Sequence, residues 1–492
     1  MSIPRARALV VVLVALITAS GASAMAQAQP PPSTGIGPLN FSGTFRTRAE
    51  AWQWFEGEAN SDYAYSGSIL RLSLGQQKRA LDWQIEMAAP FLLGLPDDAI
   101  APGAQGQLGL GAAYFGANDR SRNAAMLFPK QAFVRFKSLG GNGAHGIRLG
   151  RFEFVEGTEA TPKNPTLAAV KRDRLAHRLI GHFGWSHVGR SFDGLSYVYN
   201  TERNNFTFLG ARPTRGVFQV DGWGGLDIGV FFGAFTRPVG GKQSAGEFRL
   251  FGIYYHDWRE NVLKTDNRPA GVRRLDAGNV RIATAGGHYL HALETPRGTV
   301  DFLLWGAFQT GRWGVQDHRA FAATLEAGYQ PNASWLKPWF RAGFHHGSGD
   351  SDPGDNKHAT FFQVLPTPRW LARFPFYNLM NIQDAYGQVM VRPGPRWNLR
   401  TDLHALRLAS RHDLWYQGGG AFQPWTFGYA GRPGNGRRGM ATVLDISADY
   451  RVNANVSLGA YFANAWGRRL MESIYPKGGT ARLAYLELTS RF

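Results

Sequence analysis

Short segments in which apolar and polar residues alternate recur along most of the chain, and this pattern constrains the fold more than any other feature. In residues 81–87 the odd positions are apolar and the even positions are Asp, Gln and Glu, and residues 321–329 and 444–451 show a similar alternation. A period of two matches a β-strand with one apolar and one polar face. We count about 18 such segments, joined alternately by short turns and longer loops. The chain is therefore predicted to be all-β, an antiparallel up-and-down barrel of about 18 strands.

Four segments do not show which of their faces is apolar: residues 147–154, 206–212, 248–257 and 280–291. A β-bulge would restore the alternation, because one extra residue shifts the phase of a strand. The sequence does not locate such a bulge, so the facing of these segments stays open.

The N-terminus has the parts of a secretory signal peptide. Arg5 and Arg7 precede an apolar run over residues 8–19, which is followed by Ala-Met-Ala at residues 24–26. The run is shorter than the roughly 20 residues that a bilayer-spanning helix needs. We predict a signal peptide at 1–26, a Pro-rich periplasmic linker at 27–38 and a transmembrane barrel over 39–492.

Composition adds a basic charge and excludes disulfides. The net charge is +18, from 54 Lys and Arg against 36 Asp and Glu, and the chain has no cysteine. A positive excess implies an acidic partner. The arginines are spread along the chain rather than gathered in one block, which argues against nucleic acid as that partner. Without disulfides, an exported chain depends on extensive pairing or packing for its stability.

A soluble β protein and a membrane barrel both show alternation, and three features favour the membrane barrel. The final segment, 486–492, ends in Phe492 and resembles the C-terminal assembly signal of bacterial outer-membrane proteins. Aromatic residues gather near segment ends, such as 52–55 and 461–466, as two interfacial girdles require. Charges of both signs occur inside segments, which a water-filled lumen tolerates and a packed core does not. We expect the chain in the bacterial outer membrane.

Several stretches resemble the alginate-export family of outer-membrane porins. They are residues 181–194 (GHFGWSHVGRSFDG), 149–153 (LGRFE), 347–350 (GSGD), 360–362 (TFF) and 365–367 (LPT). With interruptions, the resemblance runs from about Phe41 to Phe492. It implies a monomeric 18-stranded barrel with an arginine-rich constriction through which an anionic uronate polymer such as alginate passes outward. It also implies outer-membrane lipid around the barrel and a periplasmic synthesis or export complex as a partner.

Arginine is suited to such a pathway because its guanidinium group pairs bidentately with carboxylates and stays charged. Our candidates for the lumenal pathway are Arg46, Arg48, Arg71, Arg135, Arg151, Arg190, Arg341, Arg392 and Arg400. Acidic residues on the same faces would hold these arginines in place: Glu50, Asp384, Asp402 and Asp445. The alternative for each arginine is that it pairs with a lumenal acid only to stabilise the barrel wall.

Three other motifs carry predictions of their own. Residues 165–180 have Leu167, Val170, Arg174 and Arg178 at helical spacing, which predicts a short helix in the lumen or at its mouth. This helix would either constrict the pore or be a plain loop helix. The G-x-G-x-x-G pattern at 141–146 lies between strands and predicts a β-turn rather than a dinucleotide site. Asp350, Asp352 and Asp355 are candidate Ca²⁺ ligands, with an exposed acidic turn as the alternative, because they lack the EF-hand pattern. No other cofactor is expected.

Three alternative functions stay open beside export of an acidic polysaccharide. The chain could be a general anion porin for small solutes, or a soluble secreted protein that binds acidic glycans. It could also be an outer-membrane hydrolase, for which Ser186, His187 and Asp193 are the residues to suspect. We expect no enzyme activity, because G-x-S-x-G and H-E-x-x-H are absent from the sequence.

Overall fold

The computed structural model describes residues 34–36, 39–241, 243–367, 372–418 and 422–492. The predicted signal peptide lies outside the described residues. So does the predicted linker, apart from a short strand, Thr34–Ile36, that pairs with the start of the first barrel strand.

Eighteen of the described strands form one closed antiparallel barrel, as the alternation predicts. The strands are β1 (Leu39–Gln53), β2 (Asp62–Gln77), β3 (Leu81–Leu93), β4 (Phe128–Lys137), β5 (His145–Phe152), β6 (Phe192–Asn200), β7 (Asn205–Pro213), β8 (Ile228–Gly241), β9 (Ser244–Asp257), β10 (Val280–Thr295), β11 (Gly298–Trp313), β12 (Gln316–Pro331), β13 (Trp339–Gly347), β14 (Ile382–Val391), β15 (Trp397–Leu408), β16 (Gly439–Arg451), β17 (Val456–Gly467) and β18 (Thr480–Arg491). Each strand pairs with the next, and β1 pairs with β18, so the sheet has no free edge.

The two ends of the barrel differ in the length of their connections. One end carries short connections, such as 201–204 and 296–297, together with the start of β1 and the end of β18. The other end carries longer loops, which include 94–127, 153–191, 258–279, 348–381 and 409–438. In outer-membrane barrels the short turns are periplasmic and the long loops extracellular. We use those names for the two ends.

The outer face of the barrel is apolar. In β12 the side chains alternate strictly between buried and exposed, and the exposed ones include Phe321 and Leu325. The residues on the other face of the strand, which include Thr324 and Glu326, are buried and point into the barrel. A soluble β protein would bury its apolar face instead, so this arrangement overturns the soluble interpretation and fits a lipid-facing wall.

Loops, helices and short strands occupy much of the lumen and the extracellular mouth. The helices there are α1 (Leu110–Ala117), α2 (Pro165–Val170), which continues into a π-helical turn (Lys171–Leu175), α3 (Ala270–Leu275) and α4 (Arg469–Ile474); the remaining short strands are Asn123–Ala125, Lys357–His358, Leu414–Tyr416 and Gly431–Pro433. A 3₁₀ turn (Leu139–Gly141) lies in the periplasmic connection between β4 and β5. Within the described ranges, no helix is long and apolar enough to cross a bilayer.

Candidate solute pathway

Two loops fold into the lumen and pair with each other there. In loop 153–191, the Gly181 amide donates to the Leu365 carbonyl at 2.7 Å, and the Leu365 amide donates to the Leu179 carbonyl at 2.7 Å. Leu365 belongs to loop 348–381. The side chains of Leu365 and Leu179 are both fully buried. The predicted helix at 165–180 is present as α2 and its π-helical turn. Gln330, near the periplasmic end of β12, bonds to Thr166 at its start, so this segment reaches deep into the barrel.

Buried ion pairs hold this inner segment against the barrel wall. Arg174 Nε donates to Glu326 Oε2 at 3.0 Å, and Arg341 on β13 approaches the same carboxylate oxygen at 3.2 Å. Lys171 Nζ lies 2.6 Å from Glu247 Oε1 on β9. A buried charge without a partner is costly, so these contacts fix the position of the segment. Arg341 also pairs with Asp301. It therefore holds the wall together rather than facing water.

Arg48 has a similar structural role on the opposite wall. Its guanidinium is 2% exposed and contacts Glu487 Oε2 at 2.6 Å and Glu50 Oε1 at 3.2 Å. It also lies between the rings of Trp185 and Tyr485. Glu50 in turn bonds to His187 Nε2 at 3.0 Å. Two predicted pathway residues, Arg48 and Glu50, thus anchor loop 153–191.

Arg46 and Arg71 lie at mid-height on the lumenal faces of β1 and β2 and keep part of their surface in contact with water. Their side chains are 17% and 24% exposed. Arg46 Nη1 donates to the Gly184 carbonyl at 2.6 Å, and Arg71 pairs with Glu86 at 2.5 Å and Glu153 at 2.9 Å. Both predicted residues are on the lumen, with acids beside them.

Arg135 and a residue that the sequence analysis did not single out, Arg148, face each other near the periplasmic entrance. They are direct cross-strand neighbours on β4 and β5. Arg148 stacks on Phe152, with its guanidinium carbon 4.0 Å from the ring centroid. Among the described residues, no salt bridge joins either arginine to a carboxylate. Arg148 was missed because it belongs to a segment whose facing the alternation left open.

The remaining lumenal candidates form local pairs. Arg400 Nε donates to Asp402 Oδ2 at 2.6 Å. Asp384 bonds to His404 Nδ1 at 2.9 Å. Asp445 accepts from Tyr461 at 2.6 Å. Of this group only Arg400 is partly exposed, at 11% of its side chain.

Three predicted pathway arginines are not where we expected them. Arg151 lies on the outer face of β5, in phase with the exposed Leu149, and pairs there with Asp193 at 2.7 Å. Its segment is one of those with ambiguous phase. Arg190 is buried inside loop 153–191 rather than on a strand, and its guanidinium lies 5.5 Å from the Phe183 ring. Arg392 follows the end of β14 and is exposed in the periplasmic turn 392–396.

The suspected hydrolase residues do not form a catalytic group. Ser186 Oγ donates to the Phe183 carbonyl at 3.2 Å, and His187 is bonded to Glu50 instead. Asp193 is on the outer wall, paired with Arg151. This placement contradicts the proposed Ser186–His187–Asp193 site, because a nucleophile and its base have to be within hydrogen-bonding reach.

Each of the three candidate calcium ligands accepts a backbone hydrogen bond within its own turn. Asp350 Oδ1 accepts from the Asp352 amide at 3.1 Å, and Asp352 Oδ1 accepts from the Gly354 amide at 2.9 Å. Asp355 accepts from the Lys357 amide and pairs with its ammonium group. Across the described ranges, no group of three or more such side chains is placed to hold a metal ion.

At the extracellular mouth lies an aromatic cleft of about 380 Å³. Its lining includes the rings of Trp52, Trp54, Phe218, Trp425, Phe427 and Tyr429 and the amides of Gln107, Gln417 and Gln423. None of the described residues that line it is charged. Trp52 and Trp54, which we predicted to belong to an interfacial girdle, are instead buried inside the barrel. The loop residues carried no periodic signal that could have indicated this cleft.

A closed barrel of 18 strands with charged lumenal side chains and an apolar exterior has the architecture of an outer-membrane porin. The family described as alginate export matches residues 38–460. The chain belongs to the alginate-export family. Family and fold together place it in the bacterial outer membrane as a channel.

The alginate-export chain is also similar in fold to solved structures. They include OccK9 (OpdG) of Pseudomonas aeruginosa (TM-score 0.54, 10% identity, 92% of this chain and 98% of that chain), OccAB2 of Acinetobacter baumannii (0.53, 9%, 92% and 98%) and Pseudomonas aeruginosa OpdK with vanillate (0.52, 10%, 92% and 98%). At these identities the likeness shows the fold alone. A search of curated proteins finds no match.

Proposed function

We propose that this alginate-export channel passes an anionic solute, and that the solute is an acidic polysaccharide such as alginate. The Arg135–Arg148 pair carries the proposal. Two like charges directly opposite each other on neighbouring strands are destabilising. The other cross-strand neighbour of Arg135 is Asp82 on β3, and its carboxylate pairs with Lys137 at 2.6 Å instead. At the periplasmic entrance, a uronate carboxylate would meet two guanidinium groups that, among the described residues, have no salt-bridged carboxylate.

The partly exposed arginines further up supply the next positions for the polymer. Arg71 and Arg46 lie on neighbouring strands at mid-height, with Thr44 opposite Arg71. Each is already balanced in part by Glu153, Glu86 or Glu487. Partial balance weakens the hold on any one carboxylate, so a polymer can exchange one arginine for the next instead of being trapped. Rings of basic side chains with several weak sites are a known basis of anion selectivity.

The remaining features of the proposal follow from the family and the fold. We propose that the channel works as a monomer, without a catalytic step, in outer-membrane lipid. We also propose that a periplasmic synthesis or export complex delivers the polymer, since a passive pore supplies no energy of its own.

Planar-bilayer conductance tests the proposal. We expect an anion-selective pore that oligomers of mannuronate or guluronate block at millimolar concentration or below. Substituting both Arg135→Gln and Arg148→Gln should lower the anion-to-cation permeability ratio and weaken the block, because the entrance loses both of its guanidinium groups. Both effects should diminish as salt is raised, since exposed charges are screened.

The matched control is Arg281→Gln with Arg319→Gln. Both arginines are exposed on the outer face, at the extracellular ends of β10 and β12, and their loss changes the net charge equally. Selectivity should stay as in the unmodified protein. A cation-selective pore, or an equal loss of selectivity in both double variants, would refute the proposal.

A small aromatic acid is the second candidate solute, favoured by the aromatic cleft at the extracellular mouth. Rings of Trp425 and Phe427 suit the flat face of an aromatic carboxylate, and one structure of similar fold, OpdK, was solved with vanillate. Block by vanillate at concentrations where uronate oligomers have no effect would favour this candidate over the polysaccharide.

A further inference from the structure

A basic cleft opens at the extracellular rim of the barrel. It has a volume of about 1120 Å³ and lies between the start and end of loop 409–438, the loop that contains α4 and the start of loop 348–381. Its lining includes Arg411, Arg437, Arg438, Arg468 and Arg469 together with His412, and Glu472 is the one carboxylate among the described residues that line it. We call this site the rim cleft.

The arginines of the rim cleft are not paired as those of the lumen are. Within the described ranges, no salt bridge joins any of them to a carboxylate, Glu472 included. Arg468 Nη2 donates to Thr442 Oγ1 at 2.8 Å, and Arg411 Nε lies 3.0 Å from His412 Nε2. Arg48, Arg71 and Arg400, by contrast, each contact a carboxylate within the lumen. Five guanidinium groups around one cleft create a positive potential that attracts an anion.

The position of the rim cleft shows which kind of anion can reach it. Along the outer face of β15 the exposed residues run from Leu403 through Ala405 to Arg407 at the extracellular end. Along β17 they run from Phe462 to Trp466, and Arg468 follows immediately. Trp is typical of the boundary between acyl chains and headgroups. The cleft therefore begins at the height where the outer wall passes from lipid chains to lipid headgroups.

We infer that the rim cleft binds the phosphate groups of a phosphorylated glycolipid of the outer leaflet. Arginine binds phosphate through paired, charge-assisted hydrogen bonds, and clusters of basic residues at a membrane surface bind anionic headgroups. The acyl chains of the bound lipid would lie against Trp466, Phe462 and Leu403 on the wall below. The inference concerns the outer wall and does not depend on the solute that the channel passes.

Native mass spectrometry of the full chain in neutral detergent tests the inference, with diphosphoryl lipid A as the probe. The unmodified protein should bind it, and a phosphate-free analogue with the same acyl chains should bind at least tenfold more weakly. Substituting Arg437→Gln, Arg438→Gln and Arg469→Gln together should raise the apparent Kd for diphosphoryl lipid A at least tenfold.

The control variant carries Arg237→Gln, Arg396→Gln and Arg451→Gln, three exposed arginines at the periplasmic end that remove the same charge. Its Kd should stay unchanged. Conductance and heat-modifiable gel migration should be normal in both variants, which shows that the barrel is folded. Equal losses in the two variants, or equal binding of the phosphate-free analogue, would overturn the inference. Loss of uronate-oligomer binding instead of lipid A binding in the cleft variant would also overturn it and assign the cleft to the polysaccharide.

Discussion

Burial sorts the arginines of this channel into two groups that residue type alone does not distinguish. Arg48 and Arg341 are buried beside carboxylates, and removing one partner of such a pair leaves an uncompensated charge at a cost of about 3–5 kcal/mol. Arg46 and Arg71 keep 17% and 24% of their side chains exposed, and Arg135 is exposed. We therefore expect substitutions in the first group to lower stability and substitutions in the second to change selectivity.

A single buried carboxyl group in an extracellular loop gives a prediction about pH. Burial raises the pKa of Asp413 to about 7, although Thr360, the Asp350 amide, the Leu414 amide and Tyr416 donate to it. A folded pKa above the unfolded value of about 3.9 means that the contribution to stability is present below pH 4 and is lost as pH rises through 7. Hydrogen exchange in residues 409–416, corrected for intrinsic rates, should therefore show less protection at pH 8 than at pH 5.

Asp413→Asn is the control for this pH effect, because it removes the titrating group and keeps a side chain of similar size. Protection in the same residues should then vary little between pH 5 and pH 8. A pH dependence of the same size in this variant would show that another group causes it.

At the scale of elements, the inner segment formed by α2 and its π-helical turn is held by charges rather than by strand pairing. Glu326 on β12 connects it to the wall through Arg174, and Arg341 braces the same carboxylate. The helix is short, and its Asn164 side chain caps the Leu167 amide at 3.1 Å. A helix of this length is marginal without tertiary contacts. Its position in the lumen therefore depends on tertiary contacts, which include these ion pairs and the burial of Leu167 and Val170.

Glu326→Gln tests this dependence. The variant leaves the buried Arg174 and Arg341 without that negative charge, which should favour release of the inner segment by a few kcal/mol. We expect a larger or more variable single-channel conductance than in the unmodified protein. Asp384→Asn, which removes a buried carboxylate bonded to His404 on the strands β14 and β15, should leave conductance near its normal value. Unchanged conductance in Glu326→Gln would mean that other contacts hold the segment.

At the scale of the whole molecule, closure of the sheet restricts how any one strand can respond to a change. Each strand is bonded on both sides, and β1 joins β18. A strand at a free edge can shift away from a new side chain, but a strand in a closed barrel cannot move without disturbing its neighbours. Small residues where backbones approach closely are therefore important for folding of the entire barrel.

Gly194→Val should impair folding of the whole barrel. A Cβ at Gly194 on β6 would lie 2.2 Å from the Gly210 carbonyl oxygen and 2.7 Å from the Ala211 Cα on β7. Both atoms are backbone of the neighbouring strand. We expect the heat-modifiable, folded fraction on a gel to fall several-fold. Gly387→Val on β14 is the control, since a Cβ there has no neighbour within 4 Å, and its folded fraction should be normal. Equal yields of the two variants would contradict this account.

The alternation of residues by itself determined the strand architecture and which face of most strands meets lipid, because a strand has two faces and one of them must be apolar in a membrane. For Arg46, Arg48, Arg71 and Glu50 it also predicted the lumenal side. It did not determine that Arg151 faces outward, because residues 147–154 lack a clear phase. Only the tertiary structure decided which lumenal groups meet water. Two loops distant in sequence fold into the barrel and cover Arg48 and Arg341, and such contacts between loops leave no period in the chain. The same holds for the rim cleft, whose arginines come from two loops that meet at the extracellular end.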